Sequence, residues 1–272
     1  MGTTSDITRA GAGTEQDRTH PVYVYGVIPA ADAASLPEAP GLGNSSTVRT
    51  VTQGGVAALI SDLPPDHTPG RPEDLEAHRR VLSQAIEHGT VVPMRFGIVM
   101  DDDEVVQERL LREHTAELEE MLGHLDGHVQ MTVKAFYAED ALLRDVLASH
   151  PDLAQESAAL AGRPDEEVHA ARVRIGEMVA GAVEARREEV ASALLNRLAP
   201  LAADISVDPP GSERVALSVQ MLVHRDRRAA LDEEVHALAE ALKGTLAFRY
   251  VGPLPPFSFA DLALDEGTES WD

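Results

Sequence analysis

The sequence predicts an α+β protein built from two domains. Its 272 residues exceed the size of a typical single domain. Short β-branched and aromatic runs alternate with longer segments of helical periodicity, and the aromatic residues fall in strand candidates or near the C-terminus. Apolar residues make up 43% of the chain and charged residues 25%, which is enough apolar surface to offset the entropy of ordering.

Composition also predicts the organisation of the chain. Residues 1–20 are rich in Gly, Thr, Ser, Ala and charge without periodicity, which predicts a disordered leader. We expect an N-terminal α+β domain over residues 21–127 and a C-terminal α+β domain over residues 128–264. An acidic tail follows over residues 265–272.

Three strands are predicted at the start of the first domain. Residues 22–28 are β-branched and aromatic and stop at Pro29, which is typical of a strand buried on both faces. Residues 48–52 and 56–61 predict two more strands, joined through Gln53-Gly54-Gly55. The glycine pair supplies the positive φ that a tight hairpin needs.

A helix and a further strand candidate follow. The spacing predicts a helix over 72–88 that ends at Gly89, with one apolar face formed by Leu75, His78, Leu82, Ala85 and Ile86. Residues 91–100 form an apolar strand candidate interrupted by Pro93, which favours a sheet edge or a strand start.

The acidic run Asp101–Glu104 predicts the start of a helix that ends near Leu122. Nine acids and two arginines lie between Asp101 and Glu120, so the outer face of this helix is strongly negative. The run also resembles a divalent-cation site. Acids at a helix N-terminus are stabilised by about 0.3 to 1 kcal/mol each, so we favour capping.

The second domain is predicted to carry a helical hairpin over about residues 140–203. A half-buried strand over 129–137 precedes it. The proline-free segment 165–199 predicts one helix of roughly 50 Å, too long for a compact domain to cover, so it protrudes or pairs with a helix over 140–161. Gly176 and Gly181 mark places where it bends or allows close approach.

The remaining elements are two strands around a helix. Strict alternation over 215–223 gives the clearest strand in the chain, and residues 227–242 predict a helix stopped by Gly244. Residues 246–251 predict the last strand.

Charge and motif content exclude several functions. A formal charge of -23 repels nucleic acid and anionic lipid, so we expect neither as a partner. The absence of cysteine excludes disulfides and thiolate chemistry, and no signal peptide or membrane-spanning run is recognisable, so we expect a cytoplasmic protein. The phosphate-binding and hydrolase motifs are absent, so we expect no catalytic residues, no cofactor and no enzyme activity.

One histidine-rich stretch has the composition of a metal site. His124, Asp126 and His128 alternate and offer two imidazoles and a carboxylate. The alternative is a helix end and an Asp-Gly turn leading into the next strand, which we favour. We therefore expect no metal.

The stretch Tyr250–Leu262 is the candidate partner-binding segment. Its prolines forbid a central strand, yet four of its side chains are too apolar for a free tail: Leu254, Phe257, Phe259 and Leu262. Either the segment packs across the protein's own domains, which we favour, or it docks on a partner.

Three motifs resemble those of the gas vesicle protein F/L family. They are Tyr23-Val24-Tyr25-Gly26-Val27, Val92-Pro93-Met94-Arg95-Phe96-Gly97 and Gly252-Pro253-Leu254-Pro255-Pro256-Phe257-Ser258-Phe259. The chain departs from the family pattern at Ile98, Leu254 and Phe257, where Thr, Trp and Tyr are usual.

The resemblance implies a modified ferredoxin-like N-terminal domain and a C-terminal domain with a coiled-coil-like hairpin. It also implies an accessory protein of gas vesicle assembly that contacts the small apolar shell protein and other accessory proteins, either in nucleation or as a minor component. Two alternatives stay open: a ferredoxin-like ligand-binding or enzymatic protein, which needs a polar-lined pocket, and a purely structural coat protein.

Overall fold

The computed structural model describes residues 20–44, 46–64 and 67–262. Within these ranges the chain forms two antiparallel sheets with helices packed against them, which confirms the α+β class. The predicted leader, apart from His20, and the predicted acidic tail over 265–272 lie outside the described residues.

The first sheet has five strands: β1 (Val22–Pro29), β2 (Arg49–Gln53), β3 (Val56–Asp62), β4 (Val92–Pro93) and β5 (Val99–Met100). Their order is β2-β3-β1-β4, and β5 also pairs with β1. Strand β1 is buried on both faces as predicted, because helix α1 (Pro72–His88) covers one face and later helices cover the other.

The sequence predictions for this sheet were correct except in two places. Gly54 has a φ of 58° in the predicted hairpin turn, and α1 has the predicted bounds. Leu75, however, is 44% exposed and does not belong to the buried face of α1. The strand over 91–100 is two short strands, because the chain turns at Gly97, whose φ is 98°. Pro93 lies on the edge strand β4, as predicted.

The acidic segment after β5 forms an interrupted helix. It starts as α2 (Asp103–Val105), continues as a π-helical segment (Val106–Arg112) and ends as α3 (Thr115–Leu125). The Asp102 carboxylate accepts a hydrogen bond from the Val105 amide at 2.8 Å, which confirms the capping interpretation. The helix ends three residues later than predicted.

The second sheet has four strands: β6 (His128–Tyr137), β7 (Asp204–Val207), β8 (Val215–His224) and β9 (Leu246–Leu254). Helix α7 (Arg228–Ala241) joins β8 to β9. The strand order is β7-β8-β6-β9, so both sheets share the order second, third, first, fourth. This is the ferredoxin-like arrangement, which the resemblance implied for the first domain only. The last strand is longer than predicted, since edge strand β9 accommodates Pro253.

The predicted hairpin connects β6 to β7. Its helices are α4 (Ala141–Ser149), α5 (Pro151–Ala159) and the 34-residue α6 (Asp165–Leu198), which packs back on both. The predicted helix over 140–161 is broken at His150, because Pro151 starts a new helix. A Cβ at Gly176 or Gly181 would meet nothing within 4 Å, so the predicted close approach at these glycines was wrong.

Three apolar clusters form the interior. One lies between the first sheet and α1, and one between the second sheet and the helices α6 and α7. The third joins the other face of the first sheet to the π-helical segment and α3, and it includes Leu222 of β8. The two sheets therefore share a core. In the described part of the chain no helix is long and apolar enough to cross a membrane.

Candidate functional site

The tail segment, residues 254–262, crosses from the second sheet to the first. After β9 the buried Pro255 and Pro256 lead into a short 3-10 turn at Phe257–Phe259. Two polar contacts lie along its path. The Ser258 amide donates to Oε1 of Gln130 at 3.0 Å, and Arg95 Nη2 lies 2.7 Å from an oxygen of Asp261.

The four predicted partner-binding residues do not share one environment. Phe259 and Leu262 pack against the core that the first sheet shares with Leu222. Leu254 is half-buried at the end of β9, opposite Gln130. Phe257 is 40% exposed. The structure thus brings the tail segment onto the protein's own sheets and leaves one large apolar side chain facing solvent.

Phe257 lies over a buried aromatic cluster. Its ring centroid is 6.2 Å from that of His78, which projects from α1. Tyr23, Tyr25 and Phe96 surround the same imidazole with ring centroids 5.7 to 5.8 Å away. The three motifs that carry the family resemblance therefore meet at His78, although they are far apart in sequence.

Hydrogen bonds fix this cluster. The Tyr23 hydroxyl accepts from the Gly97 amide at 3.0 Å and lies 2.9 Å from Nδ1 of His78. Because the hydroxyl oxygen already accepts from Gly97, we assign its proton to the bond with His78. The Tyr25 hydroxyl accepts from the Leu42 amide at 2.8 Å and contacts the Ser61 hydroxyl at 2.9 Å.

Two of the three motif glycines are explained by this geometry. A Cβ on Gly26 would lie 2.8 Å from the carbonyl oxygen of Val92, so β1 and β4 approach too closely there for a side chain. Gly97 adopts a φ of 98°, which L-residues rarely adopt, and this conformation aims its amide at Tyr23.

Burial controls the protonation of the cluster. It lowers the pKa of His78 to about 4, although the Met94 backbone partly opposes this shift. Burial also raises the pKa of Tyr23, against the opposing hydrogen bond from Gly97. Both groups are neutral at pH 7 and closed off from solvent, so the cluster supports the tail segment and is poorly suited to acid-base chemistry.

The histidine-rich stretch forms the favoured turn. Gly127 has a φ of 69°, and Nδ1 of His128 lies 2.6 Å from the Asp126 carbonyl oxygen. The Asp126 carboxylate accepts from the Thr90 hydroxyl at 3.0 Å. His124 lies 3.9 Å from Asp204. Each side chain thus has a different neighbour, and the described residues contain no group of three or more ligands placed to hold a metal ion.

Sequence reasoning missed the central place of His78. The residue was correctly assigned to the buried face of α1, and it is 1% exposed. Nothing in the spacing of the three motifs indicated that they converge on it, because the tail segment lies more than 150 residues further along the chain.

Comparison with known proteins gives one consistent result. A sequence model of the family described as Gas vesicle synthesis protein GvpL/GvpF matches residues 21–261. Gas vesicle protein F of Streptomyces sp. (strain CB03234) is 36% identical over 244 residues, covering 88% of this chain and 99% of that protein. Gas vesicle protein F of Nostoc sp. (strain PCC 7120) is 26% identical over 249 residues, covering 89% of this chain and 98% of that protein.

Two solved structures have a similar fold. The crystal structure of gas vesicle protein GvpF from Anabaena sp. PCC7120 superposes with a TM-score of 0.77 at 26% identity, covering 90% of this chain and 99% of that one. GvpF from Microcystis aeruginosa gives a TM-score of 0.71 at 23% identity, covering 90% and 100%, which is a likeness of fold alone.

Proposed function

The chain belongs to the gas vesicle synthesis protein GvpL/GvpF family, and on that premise we propose that it binds the small apolar shell protein during nucleation or as a minor component of the vesicle. The family supports a role connected with gas vesicles. The proposal includes the shell protein as direct partner and the other accessory proteins as further partners. It also includes a non-enzymatic action and a location in the cytoplasm and at the vesicle.

The observation that carries the proposal is the exposed face of the tail segment. Phe257 lies over His78, between the buried Pro255 and Pro256 and the contacts of Ser258 and Asp261, yet 40% of it faces solvent. A rigidly supported aromatic side chain on the surface is typical of a binding anchor, because it loses little entropy when a partner covers it.

A second exposed apolar side chain lies on the helix that carries His78. Leu75 precedes His78 by three residues on α1 and is 44% exposed. Exposed apolar side chains such as Phe257 and Leu75 on a strongly acidic protein suit a partner that would aggregate through its own apolar side.

Co-purification with the shell protein tests this proposal. We expect co-expression with this chain to keep the shell protein soluble and the pair to survive washing with salt at about 0.5 M, because apolar contacts are not screened by salt. Phe257→Ser should lower the recovered shell protein by about fivefold or more. Val173→Ser is the matched control, since Val173 is 48% exposed on the distant helix α6.

The controls separate binding from folding. Phe259→Ser removes a packed side chain and should lower the thermal midpoint, whereas Phe257→Ser should leave it within a few degrees. Full retention of the shell protein by a folded Phe257→Ser variant would exclude this surface. Quantifying the chain in purified vesicles against the lysate then distinguishes a minor component from a nucleation factor.

A further inference from the structure

The face of the second sheet that points away from α6 and α7 carries buried polar side chains. Gln130, Ser218 and Gln220 lie on this face and are at most 9% exposed. A buried amide or hydroxyl is destabilising unless it is hydrogen-bonded, so these side chains need partners. The partners that they have show what this face contributes to the rest of the protein.

A chain of hydrogen bonds crosses this face from the end of β7 to the tail segment. Nε2 of Gln220 donates to Oδ2 of Asp208 at 2.8 Å, and Asp208 directly follows β7. Nε2 of Gln130 donates to Oε1 of Gln220 at 3.5 Å. Oε1 of Gln130 in turn accepts from the backbone amide of Ser258 at 3.0 Å. The chain thus connects the end of β7, β8, β6 and the tail segment in that order.

The carboxylate of Asp208 fixes the direction of this chain. A carboxylate accepts hydrogen bonds and donates none, so Gln220 turns its NH2 group toward Asp208 and its carbonyl oxygen toward Gln130. Gln130 must then donate to that oxygen, which leaves its own carbonyl oxygen for the Ser258 amide. The opposite orientation of the Gln130 amide would place its NH2 group against the N–H of Ser258.

The far end of the chain lies beside the exposed aromatic side chain of the tail segment. Ser258 is the middle residue of the 3-10 turn Phe257–Phe259, so its amide directly follows Phe257. From this geometry we propose that Gln130 positions the turn that carries Phe257, and that Asp208 orients the Gln130 amide from the end of β7. The effect on the tail segment stands by itself, whereas its importance for partner binding rests on the proposed function.

Reversing the direction of the chain tests this inference. Gln130→Glu keeps an acceptor for Ser258 but sets a carboxylate against the carbonyl oxygen of Gln220, so that contact becomes repulsive. Adding Asp208→Asn lets Gln220 turn its amide over, accept from the introduced amide and donate to the introduced carboxylate. The hydroxyls bonded to this chain can donate or accept, so they follow the reversal. The double variant therefore restores every bond of the chain.

Hydrogen exchange of residues 257–262, followed by mass spectrometry, measures how firmly the turn is held. Labelling at about pH 8 keeps the introduced carboxyl group well above its usual pKa. We expect exchange about tenfold faster in Gln130→Glu, but within about twofold of the original chain in Asp208→Asn and in the double variant. Thr132→Val is the matched control, because it removes a hydroxyl bonded to Gln220 without changing the direction of the chain.

Rescue is the result that a merely structural role would not give. If the network only stabilised the sheet, Gln130→Glu and Asp208→Asn would each lower the thermal midpoint and the double variant would exchange no more slowly than Gln130→Glu. That outcome would overturn the proposal, and so would unchanged exchange in Gln130→Glu. The double variant gives the answer even where Gln130→Glu alone fails to fold.

Co-purification of the shell protein separates this inference from the proposed function. Recovered shell protein should fall about fivefold in Gln130→Glu and return in the double variant. Restored protection of residues 257–262 with equal recovery of the shell protein in all variants would support Gln130 as the positioning residue and contradict the proposed function.

Discussion

The two sheets of this protein share one strand order but connect their first two strands differently. In the first half, residues 30–48 connect the first two strands through short 3-10 turns. In the second half, residues 138–203 make the corresponding connection through the helical hairpin. The same topology thus tolerates a short turn or a protruding helix pair, because strand order depends on pairing and not on the length of the crossover.

The two sheets also differ in what lies on their second face. The first sheet is apolar on both faces, with α1 on one and α3 on the other. In the second sheet α6 and α7 pack on the same face, and the opposite face carries a polar network. There Gln220 accepts from Thr132 and donates to Asp208 at 2.8 Å, and the Ser218 hydroxyl donates to the same Asp208 oxygen at 2.7 Å. An antiparallel sheet tolerates such a face.

Leu222 links the second sheet to the core of the first sheet, and substituting it should give the largest change in the free energy of unfolding. It lies on the face of the second sheet that carries the polar network, is fully buried and belongs to the core of the first sheet. Leu222→Ala should lower the free energy of unfolding by about 3 kcal/mol, measured by urea denaturation. Val251→Ala is the control, because Val251 lies on the same face at 37% exposure and should cost under about 1 kcal/mol. Equal costs would show that the sheets do not share a core.

His78 should make the stability of the first half depend on pH. Its pKa is about 4 when folded and 6.5 when unfolded, so its contribution is complete above pH 6.5 and is lost as pH falls through 4. Between about pH 7 and pH 5 the loss should be about 2 kcal/mol. His78→Gln should remove this part of the pH dependence.

Tyr25→Phe serves as the control for that experiment. It deletes a hydrogen-bonding hydroxyl from the same cluster but keeps the imidazole, so it should lower stability similarly at both pH values. A pH dependence unchanged in His78→Gln would show that His78 is not the group responsible.

The smallest expected effect is that of a glycine-to-alanine substitution, made once in each half of the protein. Gly123 in α3 and Gly176 in α6 each have open space where a Cβ would lie, so alanine fits at both. Gly123→Ala should raise the free energy of unfolding by about 0.5 to 1 kcal/mol. Gly176→Ala should raise it less and instead slow hydrogen exchange in the hairpin, if that hairpin opens separately from the sheets. Equal gains would show one cooperative unit.

Local patterns predicted most of the elements. A continuous β-branched and aromatic run identified β1, and alternation or helical periodicity identified α1, β6, α6 and β8, because these patterns depend on which side chains are buried. Turn chemistry was equally reliable at Gly54 and Gly127, where a positive φ was required. The predicted division between residues 127 and 128 stays a prediction, and β6 begins at that point.

Contacts distant in sequence were not predictable in this way. The break at Gly97 serves a hydrogen bond to Tyr23, and the exposure of Leu75 depends on what the rest of the chain leaves uncovered. The candidate site was predicted in part, since the tail segment was identified as apolar and proline-constrained. Which of its side chains faces solvent depends on the shared core, which no local pattern encodes.

The path of the tail segment also determines when the core of the first sheet is covered during protein synthesis. Phe259 and Leu262 cover a core whose first-sheet strands and covering helices are complete about 140 residues earlier. At roughly 5 to 20 residues per second, that apolar surface stays bare for on the order of ten to thirty seconds on the ribosome. We expect a polypeptide that ends before residue 254 to leave this surface uncovered. Burial of the shared core therefore depends on synthesis of the chain as far as Leu262.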